Sequence, residues 1–169
     1  VGGRIERLAR RAKYLLAPLD RGETLVMHLG MSGRFEIAQP EGTVRPGEFH
    51  YAPDPDPKHA HVVFETEAGE RVTYYDPRRC GYMDLINSAT FDLQPWFAGL
   101  GPEPLSDAFD AARLIHAFAG RKQGPKTLLL DQRVVAGLGN IYVCEALNRA
   151  RISPFSPAGT IKPERIESL

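Results

Sequence analysis

Thr24-Leu25-Val26-Met27-His28-Leu29-Gly30-Met31-Ser32-Gly33-Arg34-Phe35-Glu36-Ile37-Ala38 decides how this 169-residue chain folds. Two runs of strand formers flank four residues bracketed by glycines, which predicts two short strands joined by a tight turn. Further on, His61-Val62-Val63-Phe64-Glu65-Thr66 and Arg71-Val72-Thr73-Tyr74-Tyr75 flank Glu67-Ala68-Gly69-Glu70, a predicted hairpin with glycine where a positive φ is needed. Gly81-Tyr82-Met83-Asp84-Leu85-Ile86 reads as another strand. Short strands at this spacing predict an antiparallel sandwich or barrel. Between Gln39 and Lys58 the prolines Pro40, Pro46, Pro53, Pro55 and Pro57 replace strand formers, which predicts a long, mobile surface loop.

Past Gly101-Pro102-Glu103-Pro104 the pattern turns helical, so the expected fold class is α+β: a β-domain over residues 1–104 and a helical domain over 105–169. Ser106 is the expected N-cap of a helix with Ala108, Ala111/Ala112, Ile115 and Phe118 on one face, ending at Gly120. Pro125 starts a short helix through Leu128-Leu129-Leu130. A third helix runs from Asn140 to Ala150, its expected apolar stripe being Ile141/Tyr142, Cys144 and Ala146/Leu147.

Composition excludes several classes. At 43% hydrophobic residues the chain carries enough for a core, and no apolar run reaches the roughly 18 residues of a membrane span. Cys80 and Cys144 lie far apart, outside any Cys-x-x-Cys spacing, so neither a zinc knuckle nor a disulfide framework is expected and a reducing compartment is the plain reading. Twenty-one bases balance twenty-one acids, a neutrality that speaks against a polyanionic partner until its distribution is seen. Residues 1–13 carry net +4, residues 14–112 net −9 and residues 113–169 net +5. Charge runs are commonly solvated faces, but two basic ends around an acidic middle also suit nucleic acid.

Five local patterns carry chemistry. Gly137-Leu138-Gly139-Asn140 stands directly before a helix, where free N–H groups and small residues make a phosphate site; the alternative is a helix–helix turn with Asn140 as N-cap. Tyr142 stands where a dinucleotide fingerprint needs a third glycine or alanine, and no strand precedes, so a Rossmann site is rejected. Asp76-Pro77-Arg78-Arg79-Cys80-Gly81 places two guanidinium forks on a turn, suited to phosphate or base edges, or else to pairing with Asp76. Met31 at the tip of its turn is either a wedge for stacked bases or a side chain folded back onto the core. Lys13, entering the apolar Leu15-Leu16, is either a partly desolvated amine fit for acid–base or imine chemistry or a phosphate clamp. His59 and His61 lack a third ligand in reach, so hydrogen bonding to DNA or backbone is preferred over metal.

Together these segments resemble the bacterial formamidopyrimidine-DNA glycosylase family, with endonuclease VIII as its nearest relative. The matching runs are Arg11-Ala12-Lys13-Tyr14-Leu15-Leu16, His28-Leu29-Gly30-Met31-Ser32-Gly33, Lys58-His59-Ala60-His61, Asp76-Pro77-Arg78-Arg79, Leu100-Gly101-Pro102-Glu103-Pro104-Leu105, and Leu130-Asp131-Gln132 through Gly137-Leu138-Gly139-Asn140-Ile141-Tyr142 to Glu145-Ala146-Leu147. The resemblance implies an N-terminal antiparallel β-sandwich, a C-terminal helix–two-turn–helix domain and duplex DNA in the cleft between them. It implies a repair glycosylase with AP lyase activity that removes oxidised purines by base flipping, imine formation and β,δ-elimination, cytoplasmic and monomeric, with no membrane partner. Lys13 resembles the family lysine that assists elimination. Met31 and Arg78 resemble two of three residues that fill the gap left by the flipped nucleotide, Arg78 facing the orphaned base. The third, an aromatic in the family, is Cys80 here. His59, Arg79, Arg121 or Lys122, Lys126 and Asn140 resemble backbone contacts.

The family's nucleophile is an N-terminal proline followed by a glutamate, and its zinc is held by a C-terminal finger. Val1-Gly2 match neither catalytic residue and no Cys₄ set follows Glu164, which implies that these residues are the central part of such an enzyme, inactive by themselves, with zinc expected in the finger only. Ala60 replaces the family's Asp between the histidines. The alternative from another class is a non-catalytic module of the same fold that binds damaged or abasic DNA.

Overall fold

The computed structural model describes residues 2–47 and 54–169. The chain divides into two compact units, Val1–Ser88 and Ala89–Leu169.

The first unit is a sandwich of two four-stranded antiparallel sheets. One sheet has the order β1-β2-β3-β8, from Ala9–Arg11 (β1), Tyr14–Pro18 (β2), Glu23–His28 (β3) and Tyr82–Asn87 (β8). The other has the order β5-β4-β7-β6, from Arg34–Gln39 (β4), Gly42–Val44 (β5), Ala60–Glu65 (β6) and Arg71–Tyr75 (β7). The strands on either side of Gly30-Met31-Ser32-Gly33 therefore belong to different sheets, and so do β7 and β8 on either side of residues 76–81. Both turns cross from sheet to sheet. Leu16, Ala17, Val26, Met27, Tyr74 and Ile86 are buried, and consecutive buried residues in β2 and β3 show both faces partly covered rather than a clean alternation.

Several elements were not foreseen, among them both strands of the hairpin at Lys13. The basic segment around Lys13 forms a hairpin, β1 pairing Arg11 with Tyr14 across the two-residue turn Ala12-Lys13. The expected loop of residues 39–58 contains β5, which Gln39 and Gly42 register across Pro40-Glu41, and a 3-10 turn at Pro57–His59. Residues 48–53 of that loop lie outside the described residues.

In the second unit, α1 is Ala111–Phe118, α2 Pro125–Leu130, α3 Asn140–Arg149 and α4 Pro163–Ile166. The helix cap is Asp110, whose carboxylate accepts the Arg113 N–H at 2.8 Å. Ser106 does not cap it, because its hydroxyl is spent on the Glu103 carbonyl in a preceding turn. Leu114 and Phe118 are the buried positions of α1. On α3 the buried stripe is Val143 and Leu147, continuing to Ala150; Ile141, Tyr142 and Cys144 point to solvent. Leu147 is inside as expected; the correction concerns Val143 and Ala150, which with Leu147 follow the i, i+4, i+7 spacing that faces Phe118, Val135 and Ile152 in the core. Between α2 and α3 the chain turns over residues 131–139, where the Val134 and Val135 N–H groups both return to the Asp131 carbonyl. No helix among the described residues is long and apolar enough to cross a membrane.

Candidate nucleic-acid interface

Strand register alone gathers the N-terminal candidates. In the first sheet Tyr14 lies opposite His28 and His28 opposite Tyr82. In the second, Arg34 lies opposite Tyr75 and Tyr75 opposite Ala60. The residues just beyond these rows are Lys13, the 29–33 turn, the 76–81 turn and His59, so all four segments emerge at one end of the sandwich. Lys13, Met31, His59, Arg78 and Arg79 are thereby brought together, although they span 67 positions of sequence from Lys13 to Arg79.

At this end the side chains are presented, not stored. Met31 is 75% exposed, which settles it as a projecting apolar tip rather than a core residue. Arg78 and Arg79 are exposed, and among the described residues no carboxylate side chain pairs with either or with Lys13. Arg79 sits at φ 53°, a left-handed conformation that costs a non-glycine residue about 1 kcal/mol or more and recurs at functional sites. Lys13 is exposed at its hairpin tip rather than partly buried. His59 is half-buried, whereas His61 is tied by Nε2 to the Asp76 carbonyl at 2.9 Å, the backbone role expected of it.

Beneath the tips lies a polar and aromatic floor. His28 stacks on Tyr82 at 5.6 Å and tilts against Tyr14 at 5.3 Å. Burial, then the nearby Lys13 charge, pulls the His28 imidazole below its ordinary value. A neutral ring suits its contact, because Nδ1 accepts the Gly30 N–H at 3.0 Å. Asp76 is 1% exposed. Its oxygens accept from Ser32 Oγ at 2.5 Å, the Gly81 N–H at 2.8 Å and the Tyr74 hydroxyl at 3.4 Å. Burial alone would raise the Asp76 carboxyl, yet these donors and the Arg78 N–H hold it below its usual range. Burial, followed by the Asp76 charge, pushes the Tyr74 phenol up to about 12.

In the second unit Gly139 is the N-cap of α3 with no side chain on the exposed first-turn N–H groups, and Asn140 is the first helical residue rather than the cap. Gln132 builds this approach: its amide donates to the Leu130 and Leu138 carbonyls at 3.1 and 3.0 Å while its carbonyl accepts the Gly137 N–H at 2.8 Å. Arg121 lines a cavity of about 400 Å³ with Gln123, Asp131 and Arg133, where Arg133 grips Asp131 through two parallel bonds of 2.9 and 2.7 Å. Lys122 is exposed and Lys126, in the first turn of α2, is half-buried. Among the described residues no group of three or more His, Cys, Asp or Glu side chains could hold a metal ion.

Sequence reasoning missed Asp76, Ser32 and Gln132 as organisers. The available signal was Asp76 itself, an acid placed directly after an alternating strand and before proline, where burial forces a choice of partners.

The family model described as Formamidopyrimidine-DNA glycosylase N-terminal domain matches residues 1–83, and that described as Formamidopyrimidine-DNA glycosylase H2TH domain matches residues 100–169. A formamidopyrimidine-DNA glycosylase of Phenylobacterium zucineum (strain HLK1) is 80% identical over 168 residues, covering 99% of this chain and 58% of the relative. That of Rhodopseudomonas palustris (strain ATCC BAA-98 / CGA009) is 53% identical over 166 residues, 98% of this chain and 57% of the relative. Among solved structures, the MutM (Fpg) protein of Thermus thermophilus superimposes with a TM-score of 0.81 at 38% identity, covering 99% of this chain and 56% of that one. Lactococcus lactis Fpg in complex with an abasic-site-containing DNA gives 0.82 at 30% identity, covering 99% and 57%. The chain thus spans a little over half the length of the relatives it matches. With both halves matched by models of one family and the sheet order and helical motif in place, the chain belongs to the formamidopyrimidine-DNA glycosylase family.

Proposed function

We propose that the protein is a cytoplasmic, monomeric base-excision DNA glycosylase with AP lyase activity that removes oxidised purines such as 8-oxoguanine and formamidopyrimidines from duplex DNA. The observation that carries this reading is the convergence of Met31, Arg78, Arg79, His59 and Lys13 at one end of the sandwich, an apolar tip among unpaired cations. Flipping a nucleotide leaves a hole in the stack; an exposed methionine is shaped to fill it, and the Arg78 guanidinium has donors for the edge of the orphaned base. Arg79, His59 and, in the second unit, Arg121, Lys122, Lys126 and the N-terminus of α3 at Asn140 suit phosphate oxygens. Cys80 takes the place of the family's stacking aromatic, which leaves the wedge to Met31.

The chemistry proposed is attack of an amine on C1′ with departure of the base, giving an imine, followed by loss of a proton from C2′ and expulsion of the 3′ phosphate. Lys13 assists the elimination half through its ammonium and its hold on the backbone near the lesion. The attacking amine and any zinc finger are assigned to residues other than these.

Borohydride trapping on an 8-oxoguanine duplex, using the full product of the gene that encodes these residues, tests the reading. A covalent adduct is expected. Tight binding to an abasic duplex with no trapped adduct overturns glycosylase/lyase function and leaves a damage-binding module.

A further inference from the structure

We propose that Asp76 is the positioning residue of this surface, a buried carboxylate that locks the Met31 turn to the Arg78 turn so that both side chains enter a duplex as one unit. The inference rests on the function proposed above and concerns how its wedge is aimed.

Neither turn is held by its own strand pairing, because each crosses between sheets. What joins them is Asp76. Oδ1 takes the Ser32 hydroxyl, next to Met31, and the same hydroxyl accepts the Arg78 N–H at 3.2 Å. Oδ2 takes the Gly81 N–H, closing the Arg78 turn from its other side. The Asp76 backbone adds the third segment: its N–H donates to the His59 carbonyl at 3.0 Å and its carbonyl accepts from His61. One residue thus touches the turn carrying Met31, the turn carrying Arg78 and Arg79, and the segment carrying His59.

Shape reinforces the lock. Gly30, at φ 63°, lies so close to the other turn that a Cβ there would meet the Cys80 carbonyl carbon and the Gly81 nitrogen at 2.6 Å. A Cβ on Gly33 or Gly81 would strike the Tyr74 hydroxyl. The turns are packed backbone to backbone around that phenol and the carboxylate. A buried charge held by several donors makes a stiff mount, since releasing any one donor strands it in the interior. Stiffness matters for a wedge: a side chain already aimed loses less freedom on insertion than one on a loose loop.

The test compares wild type, Asp76→Asn, Ser32→Ala, Met31→Ala and the Asp76→Asn/Met31→Ala double variant of the full gene product, folded by circular dichroism. Affinity is read by fluorescence anisotropy on a duplex with a tetrahydrofuran abasic analogue and on the same duplex undamaged. Asp76→Asn keeps the shape but has one acceptor oxygen fewer. It is expected to cut the preference for the abasic duplex about tenfold, the scale of one charge-assisted hydrogen bond, because affinity for the abasic duplex falls by a larger factor than affinity for the undamaged one. Ser32→Ala, which keeps the carboxylate and removes the hydroxyl that ties the Met31 turn to Asp76 and to the Arg78 N–H, is expected to lower the same ratio and serves if Asp76→Asn does not fold. The double variant should discriminate no worse than Asp76→Asn alone, since an unaimed methionine has little left to lose. An unchanged ratio in Ser32→Ala, a parallel fall of both affinities, or additive effects in the double variant overturns the positioning role. A wild type without any preference for the abasic duplex removes the proposed function and this inference together.

Discussion

Replacing Gly81 by Ala isolates the close packing of the two crossing turns. Gly81 is not in the left-handed region, so a methyl group meets no conformational objection; the obstacle is space. The new Cβ would stand 2.7 Å from the His28 carbonyl oxygen and 3.1 Å from the Leu29 carbonyl carbon, and would press on the Tyr74 hydroxyl. Two of these neighbours are backbone and cannot swing away. Overpacking of this kind costs about 1–3 kcal/mol. The shift that relieves it pulls the Gly81 N–H from Asp76 Oδ2, now 2.8 Å away, and a hydrogen bond to a charged group adds about 1.5–3 kcal/mol. The sum, roughly 3–5 kcal/mol, corresponds to more than about 10 °C in the melting of a unit this size. Gly69→Ala is the control. Its φ of 79° is unwelcome to alanine, but nothing lies within 4 Å, so only about 1–2 kcal/mol is expected. Calorimetry, with amide exchange followed on peptides from β3, β7 and β8, measures both variants. A Gly81→Ala chain within about 0.5 kcal/mol of Gly69→Ala would show that the turns do not pack as described.

Gln132→Ala should cost about 1–3 kcal/mol in the second unit, because the Gly137 N–H and the Leu138 carbonyl lose their partner, and it should weaken binding to undamaged duplex; a wild-type unfolding midpoint in urea would refute the clamp. Acid should destabilise the chain in two steps. His28 is held below 6.5, so its contribution is whole above that pH and fades as pH falls below it, when protonation removes the acceptor for Gly30. Asp76 and Asp131 are held below 3.8, so theirs persists to about that pH and fades as pH drops through their lower folded values. Melting temperatures between pH 8 and pH 3 check this, and a curve without decline below about pH 4 contradicts the carboxylate assignment.

Strands β3, β4, β6, β7 and β8 were legible within a residue or two, as was α2, because strand formers between glycine turns and proline at a helix start act locally. The hairpin around Lys13 was not, since Arg10 and Arg11 look like a solvated basic run until Leu15 and Leu16 have partners across the sheet. The phase of α3 was missed at its start for a related reason: Leu147 was expected inside and is, but Ile141 is as apolar as Val143, and only the position of Phe118 and Val135 says which of those two faces the core. Of the candidate interface, the motif residues around Met31, Arg78 and Asn140 could be named from their order along the chain. Their order, glycines and charges, all local properties, already determined the α+β class and the family likeness. What the tertiary structure decided was their meeting: two sheet-crossing turns come together at one end because the register aligns Tyr14, His28 and Tyr82 in one sheet with Arg34, Tyr75 and Ala60 in the other. The partners of Asp76 lie as far away in sequence as Ser32, and only folding brings an acid and its donors within hydrogen-bonding distance.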